Sequence, residues 1–144
     1  KKYDALKLGV QISFPLYACA KETVRLYKPY LDEIGLTYTQ YIAMLVLWEK
    51  EKMTVKELGN KLYLDSGTLT PLLKKLEAKG LIRRERSKED ERNLFLMLTE
   101  DGYAMKDQAL HIPYAMADLV DFSKEDKAAL YHLLYKLLGV LSQE

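Results

Sequence analysis

Between Thr54 and Gly102 the order of local signals leaves few folds open: a short capped helix, a turn, a second capped helix studded with hydroxyl residues, and a charged hairpin. Thr54-Val-Lys-Glu57 forms a capping box, in which each end's side chain satisfies a backbone donor of the other, and it opens a short helix to about Tyr63. Asp65 or Ser66 caps the following helix, which carries leucines at helical spacing and stops at Gly80. Pro71 is expected near its first turn, where a missing N–H costs least. Leu81–Arg86 and Asn93–Leu98 alternate as two strands, and the charged tip Ser87-Lys-Glu-Asp-Glu-Arg92 joins them.

On either side lie helices that this unit does not need. A long helix is expected over about Asp4–Glu33, with Leu6, Val10, Phe14, Tyr17, Val24, Leu26 and Leu31 on its apolar faces. Pro15 and Pro29 should each bend or interrupt it. After the break at Gly35, Thr37 caps a second helix to about Glu49. Thr99 caps one running toward Leu110, and Ser123 caps a last one dominated by Leu130, Leu133, Leu134, Leu137, Leu138 and Leu141. The fold class is therefore mainly α with a small β-hairpin wing: a winged helix-turn-helix over about 37–99, with outer helices at about 1–35 and 100–144, in a single domain of 144 residues. The outer helices are too apolar to stand alone in water, so a homodimer is expected. Two-fold symmetry would then set two copies of the second capped helix on two half-sites of a pseudo-palindromic duplex.

Charge supports a local rather than a global affinity for polyanions. The chain carries 22 basic and 21 acidic residues for a net charge of +1, which excludes an indiscriminate polycation. Between Lys74 and Arg92, however, eight basic side chains face five acids. No apolar run reaches the length of a membrane span, Lys1-Lys-Tyr-Asp4 opens no signal-peptide pattern, and the one cysteine, Cys19, fits a reducing cytoplasm. No nucleophile elbow, phosphate loop or metal-ligand spacing occurs, and His111 and His132 lie far from Cys19 in sequence. Neither enzymatic activity, nor a cofactor, nor a metal is expected.

The second capped helix has the residue types that read a major groove. Ser66, Thr68 and Thr70 offer hydroxyls to base edges or phosphates and methyl or methylene groups to thymine methyls. Lys74 and Lys75, a turn further on, suit phosphates, as do Arg84 and Arg86 on the wing strands. Arg92 at the tip suits a narrow minor groove, with Asp90 two residues earlier holding its fork.

The stretch Leu62-Tyr-Leu-Asp-Ser-Gly-Thr-Leu-Thr-Pro-Leu-Leu-Lys-Lys-Leu76, the Asp90-Glu-Arg92 tip and Leu96-Met-Leu-Thr-Glu-Asp-Gly102 together resemble the MarR family of transcription regulators. Ser13-Phe-Pro-Leu-Tyr-Ala-Cys-Ala-Lys-Glu22 resembles the N-terminal helix of its organic hydroperoxide-sensing branch, so the resemblance spans nearly the whole chain. It implies a repressor whose sensing cysteine is oxidised by an organic hydroperoxide to a sulfenic acid beside two tyrosines of the partner subunit. The tyrosines match Tyr27 and Tyr38, and Tyr17 adds to the aromatic lining, but the cysteine position is Ser13. A serine hydroxyl is too weak an acid to supply the nucleophile, so this chain is expected to imitate the reduced, DNA-binding form. Whether Ser13 replaces a cysteine or marks a relative without peroxide sensing stays open. No cysteine lies in the C-terminal third, so a form with cysteine at position 13 would be of the one-cysteine type, which needs a small external thiol. Cys19 stands about 240° around an ideal helix from Ser13 and reads as an inert packing residue. The alternative within the same resemblance is release by a small aromatic ligand, with Ser13 as a hydrogen-bonding group.

Overall fold

The first α-helix, α1 (Ser13–Glu33), begins well after Asp4, with no side chain capping its first turn. The computed structural model describes residues 1–143, and ahead of α1 it shows two single 3-10 turns, Asp4–Leu6 and Leu8–Val10. The Gln11 amide donates to the Ala5 and Lys7 carbonyls at 2.6 and 3.0 Å, occupying acceptors that a continuous helix would claim. Pro15 is the third residue of α1, where its missing N–H has no intrahelical partner to lose, so it starts the helix instead of breaking it. Pro29 lies inside, and α1 runs through it.

Thr37 caps α2 (Tyr38–Lys50) through a capping box with Gln40, whose side chain accepts from the Thr37 N–H at 3.0 Å. The helix supplies much of the core, burying Tyr41, Ala43, Met44, Val46, Leu47 and Trp48. A three-residue strand, β1 (Lys52–Thr54), then leads into α3 (Val55–Leu62), which opens with the expected Thr54–Glu57 box. Asp65 caps α4 (Ser66–Ala78) by accepting the Thr68 N–H at 2.8 Å. Pro71 is the sixth residue of α4, not part of its first turn. The carbonyl of Gly67 therefore lacks its helical donor, and both residues lie on the exposed side.

The turn between α3 and α4 is tight. Tyr63 adopts a left-handed conformation (φ 57°), and a Cβ on Gly59 would come within 3.0 Å of the Leu64 carbonyl oxygen. A side chain at Gly59 would press on the Leu64 carbonyl and on Leu69 Cδ2, so glycine eases this close crossing. The wing strands are β2 (Ile82–Arg86) and β3 (Leu94–Leu98). They form an antiparallel sheet in the order β1-β3-β2, so β1 adds a third strand to the expected hairpin, with Met53 opposite Leu96.

Three helices complete the described chain: α5 (Glu100–Ala109), α6 (Ile112–Leu119) and α7 (Lys124–Leu141). α5 ends where the sequence placed it, and after the turn at Leu110 and His111 comes α6, with Pro113 in its first turn, a helix the sequence reading did not include. A single core draws Leu31 from α1, Leu47 from α2, Leu58 from α3, Leu73 and Leu76 from α4, Ile82 from β2, Leu96 from β3 and Ile112 from α6, each nearly inaccessible. Burying one such side chain stabilises the fold by about 1.5–3 kcal/mol.

α7 stands outside this core and buries no residue within its own protomer. Leu130, Leu133, Leu134, Leu137 and Leu141 stay exposed, as do Ile12, Phe14 and Leu16 near the start of α1.

Candidate functional site

At 100° per residue, the buried leucines of α4 (Leu69, Leu72, Leu73 and Leu76) share one side of the helix. The opposite side is centred on Gly67, Pro71 and Lys74, with Ser66, Thr68, Thr70 and Lys75 flanking it, and all seven are exposed. The N-terminal half of this centre is therefore backbone and a proline ring, with the Lys74 side chain a turn further on. Such a face lets the helix axis come close to whatever it meets.

The wing tip is braced by its own polar groups. The Ser87 hydroxyl accepts the Glu89 and Asp90 N–H groups, and the Arg86 Nη1–H donates to the Glu91 carbonyl at 2.6 Å. Asp90 Oδ1 accepts Arg92 Nε–H at 3.1 Å, and Oδ2 accepts Nη2–H at 3.2 Å. This is the fork expected from the Asp-x-Arg spacing. It uses two of the five guanidinium donors and leaves three on a side chain that is 91% exposed. The hydrogen bonds from Arg92 hold the Asp90 carboxyl below the usual carboxylate range, so the pair stays ionised at neutral pH.

Arg84 behaves differently. It is half-buried, and its Nε–H and Nη2–H donate to Glu77 Oε2 and Oε1 at 3.1 and 3.0 Å. Its guanidinium is turned back onto α4.

The second candidate site is divided along α1. Tyr27 meets Tyr38 edge-on at 5.1 Å between ring centroids, and Tyr41 packs against both at 5.7 and 6.2 Å. Burial raises the pKa of all three phenols; Tyr41, which also feels Tyr27 and Tyr38, is pushed up to about 12. The cluster thus presents protonated O–H donors throughout the physiological range. Ser13 and Tyr27, by contrast, stand about 21 Å apart along α1 at 1.5 Å per residue. One protomer cannot bring them together. Tyr17 is likewise exposed, with Lys21 Nζ 5.9 Å from its ring centroid. Cys19 is exposed as well, not the packed residue that its apolar surroundings in the sequence suggested.

A third polar cluster ties α5 to both ends of the reading unit. The Trp48 indole N–H donates to the Gly102 carbonyl at 2.8 Å, and the Gly102 N–H donates to Thr99 Oγ1 at 3.0 Å. The Thr99 hydroxyl in turn donates to the Gly80 carbonyl, and the Thr99 N–H donates to the Leu81 carbonyl at 3.1 Å. No group of His, Cys, Asp or Glu able to hold a metal occurs among the described residues, and no described helix is long and apolar enough to cross a membrane.

Comparison with known proteins places this geometry. Residues 25–109 match the transcriptional regulator SarA/Rot family. The organic hydroperoxide resistance transcriptional regulator of Bacillus subtilis is 50% identical over 143 residues, covering 99% of this chain and 97% of that protein. The chain belongs to the MarR-type winged-helix transcription regulators, in the group of the organic hydroperoxide regulators. The structure of reduced AbfR bound to DNA, a protein of Staphylococcus epidermidis, superposes on this regulator with a TM-score of 0.80 at 30% identity, covering 99% of this chain and 100% of that one. Escherichia coli MarR complexed with operator DNA shares the fold, with a TM-score of 0.78 at 22% identity, over 96% of this chain and 99% of that one.

Sequence reasoning about the regulator missed Tyr41, Gly67 and Glu77. Tyr41 follows Tyr38 by three positions and therefore shares its face of α2, a signal available in the spacing. Gly67 falls at the centre of the exposed side of α4, which the angular positions of the leucines could have shown. Glu77 finds Arg84 only through the packing of β2 on α4, and nothing local announces it.

Proposed function

We propose that this chain is a homodimeric, sequence-specific DNA-binding repressor of the organic hydroperoxide type, with Ser13 in place of the sensing cysteine. The observation that carries the reading is the Asp90–Arg92 fork, held ready at an exposed wing tip beside the small, basic face of α4. Gly67, Thr68, Thr70 and Ser66 face the major groove, and the gap left by Gly67 lets the backbone approach base edges. Lys74 and Lys75 take phosphates, Arg86 braces the wing, and Arg92 enters the adjacent minor groove with its free donors. The cytoplasm is where such a protein meets DNA, and catalysis has no part in this reading.

The apolar surface of α7 and of the first turns of α1 supports pairing with a second copy, with residues 37–99 as the reading unit between the two flanks. Pairing also supplies what one protomer lacks, because Ser13 of one copy then meets the tyrosine cluster of the other. With a cysteine at that position, the thiolate would attack the outer oxygen of an organic hydroperoxide. The O–O bond breaks, an alcohol leaves, and the sulfur becomes a sulfenic acid that a small thiol can reduce. The Tyr27, Tyr38 and Tyr41 region offers O–H donors to the oxidised sulfur and little spare room, so oxidation shifts the dimer away from its DNA-competent arrangement. Ser13 forms no such nucleophile, and the chain stays in the reduced-like state.

Anisotropy titration of a labelled upstream duplex, with and without cumene hydroperoxide, tests this for the chain and for Ser13→Cys. The chain is expected to stay bound under oxidant and Ser13→Cys to let go. A Ser13→Cys protein that also stays bound under oxidant would remove the peroxide reading. It would favour instead an aromatic anion acting in the 280 Å³ cleft formed by Tyr41, Leu45, Trp48, Lys106 and Leu110.

A further inference from the structure

Among the ion pairs of the described residues, Arg84–Glu77 is the most sheltered, with side chains 27% and 39% exposed. It is also the one that joins the wing to the recognition helix. Arg84 lies in the middle of β2, opposite Leu96, and crosses to Glu77 in the last turn of α4 with two parallel hydrogen bonds. Two parallel bonds fix direction as well as distance, which a single lysine contact would not do.

Glu77 is the sole acid in α4, on a helix whose exposed side is otherwise neutral or basic. For a protein that approaches a polyanion, an acid there is unfavourable unless something uses it. Arg86, two residues along β2 and so on the same face as Arg84, braces the outer loop through the Glu91 carbonyl. Asp90 then orients Arg92. Three arginines thus form a continuous chain of braces from α4, through β2 and the loop, to the guanidinium at the tip.

We propose that Arg84 and Glu77 are positioning residues that lock the wing to the recognition helix, so that Arg92 and α4 address neighbouring grooves at one fixed spacing. The functional half of this assignment rests on the DNA-reading function proposed above, while the mechanical half does not. Arg84 then touches no phosphate, and its role passes through Arg92.

The experiment turns on a sign. If Arg84 were a phosphate contact, Glu77→Gln would free it and remove a negative charge, so every duplex would bind more tightly. If the pair positions the wing, Glu77→Gln weakens binding by about fivefold, the low end of what losing a groove-reading arginine costs. The loss appears on a duplex with A·T-rich flanks and is absent on one trimmed to the major-groove half-sites. The reversed pair, Glu77→Arg with Arg84→Glu, restores the flank-dependent gain. In parallel, backbone order parameters of the wing are measured by NMR without DNA. In Glu77→Gln the Lys88 and Glu91 amides are expected to fall below about 0.6, the range of flexible backbone, and to recover in the reversed pair. Tighter binding by Glu77→Gln, or wing order unchanged by it, overturns the assignment. If the parent chain binds no duplex with sequence preference, the DNA reading fails, and the order parameters alone decide whether the lock exists.

Discussion

Replacing Gly102 with alanine probes the joint between α5 and the reading unit more sharply than any deletion of a contact. A Cβ at this position would lie 2.0 Å from the Leu81 carbonyl oxygen and 3.2 Å from Leu98 Cδ2. The nearer obstacle is backbone, so no rotamer change relieves it, and the first turn of α5 has to shift by roughly 1 Å or more to reach ordinary contact distances. That shift strains two hydrogen bonds: Thr99 N–H to the Leu81 carbonyl at 3.1 Å, and Trp48 indole N–H to the Gly102 carbonyl at 2.8 Å. Overpacking a tight site costs about 1–3 kcal/mol, and each weakened bond adds about 1 kcal/mol. In the other direction, alanine's better helix propensity returns at most about 1 kcal/mol. The net is a loss of about 3 kcal/mol, where propensity alone would predict a gain. At about 2–4 °C per kcal/mol for a chain near this size, the thermal midpoint falls by about 10 °C. Calorimetry at fixed protein concentration measures the midpoint. The emission of Trp48, the one tryptophan of the chain, reports the local opening by shifting to the red. A midpoint within about 2 °C of the parent, with unchanged emission, would refute the reasoning, because α5 could not then be wedged against Leu81.

Two further outcomes are expected. Arg92→Ala weakens operator binding by about 1–3 kcal/mol with the loss concentrated in the A·T-rich flanks, while Lys74→Ala lowers affinity for all sequences and reduces the salt slope by about one; fluorescence titrations over a salt series separate the two. Alkaline stability provides the other: an unfolded chain releases its phenol protons near pH 10, whereas folded Tyr41 holds its proton to about 12. The unfolded state therefore binds fewer protons between these values, and stability falls as pH rises through that window. Urea midpoints measured upward from about pH 9 should decline, and Tyr41→Phe should flatten the decline; identical slopes for both proteins would contradict the assignment.

Much of the reading unit could be seen in the chain because its signals are local. The Thr54–Glu57 box, the Asp65 cap and the stop at Gly80 each need only residues within a turn of one another, and the Asp90–Arg92 fork needs only a spacing of two. Most of what stayed hidden depends on partners far along the chain, the start of α1 excepted. β1 has three residues and exists because β3 pairs with it, so no alternation marks it. The late start of α1 follows from the Gln11 amide competing for the Ala5 and Lys7 carbonyls, which outweighs an apolar pattern that continues through it. The same limit applied to the candidate site. The tyrosine cluster joins α1 to α2, and Glu77 meets Arg84 across the α4–β2 packing, so neither arrangement is written in spacing alone.

No residue of α7 is fully buried against its own chain, and that makes stability a property of the solution as well as of the molecule. Whatever covers its leucines adds to the folded state by mass action, so the melting midpoint should climb with protein concentration and sag on dilution. Newly made copies at low abundance would be the least durable, and the most exposed to proteases, until enough chains accumulate to shelter one another. The quantity of this regulator in a cell is thereby partly set by its own quantity.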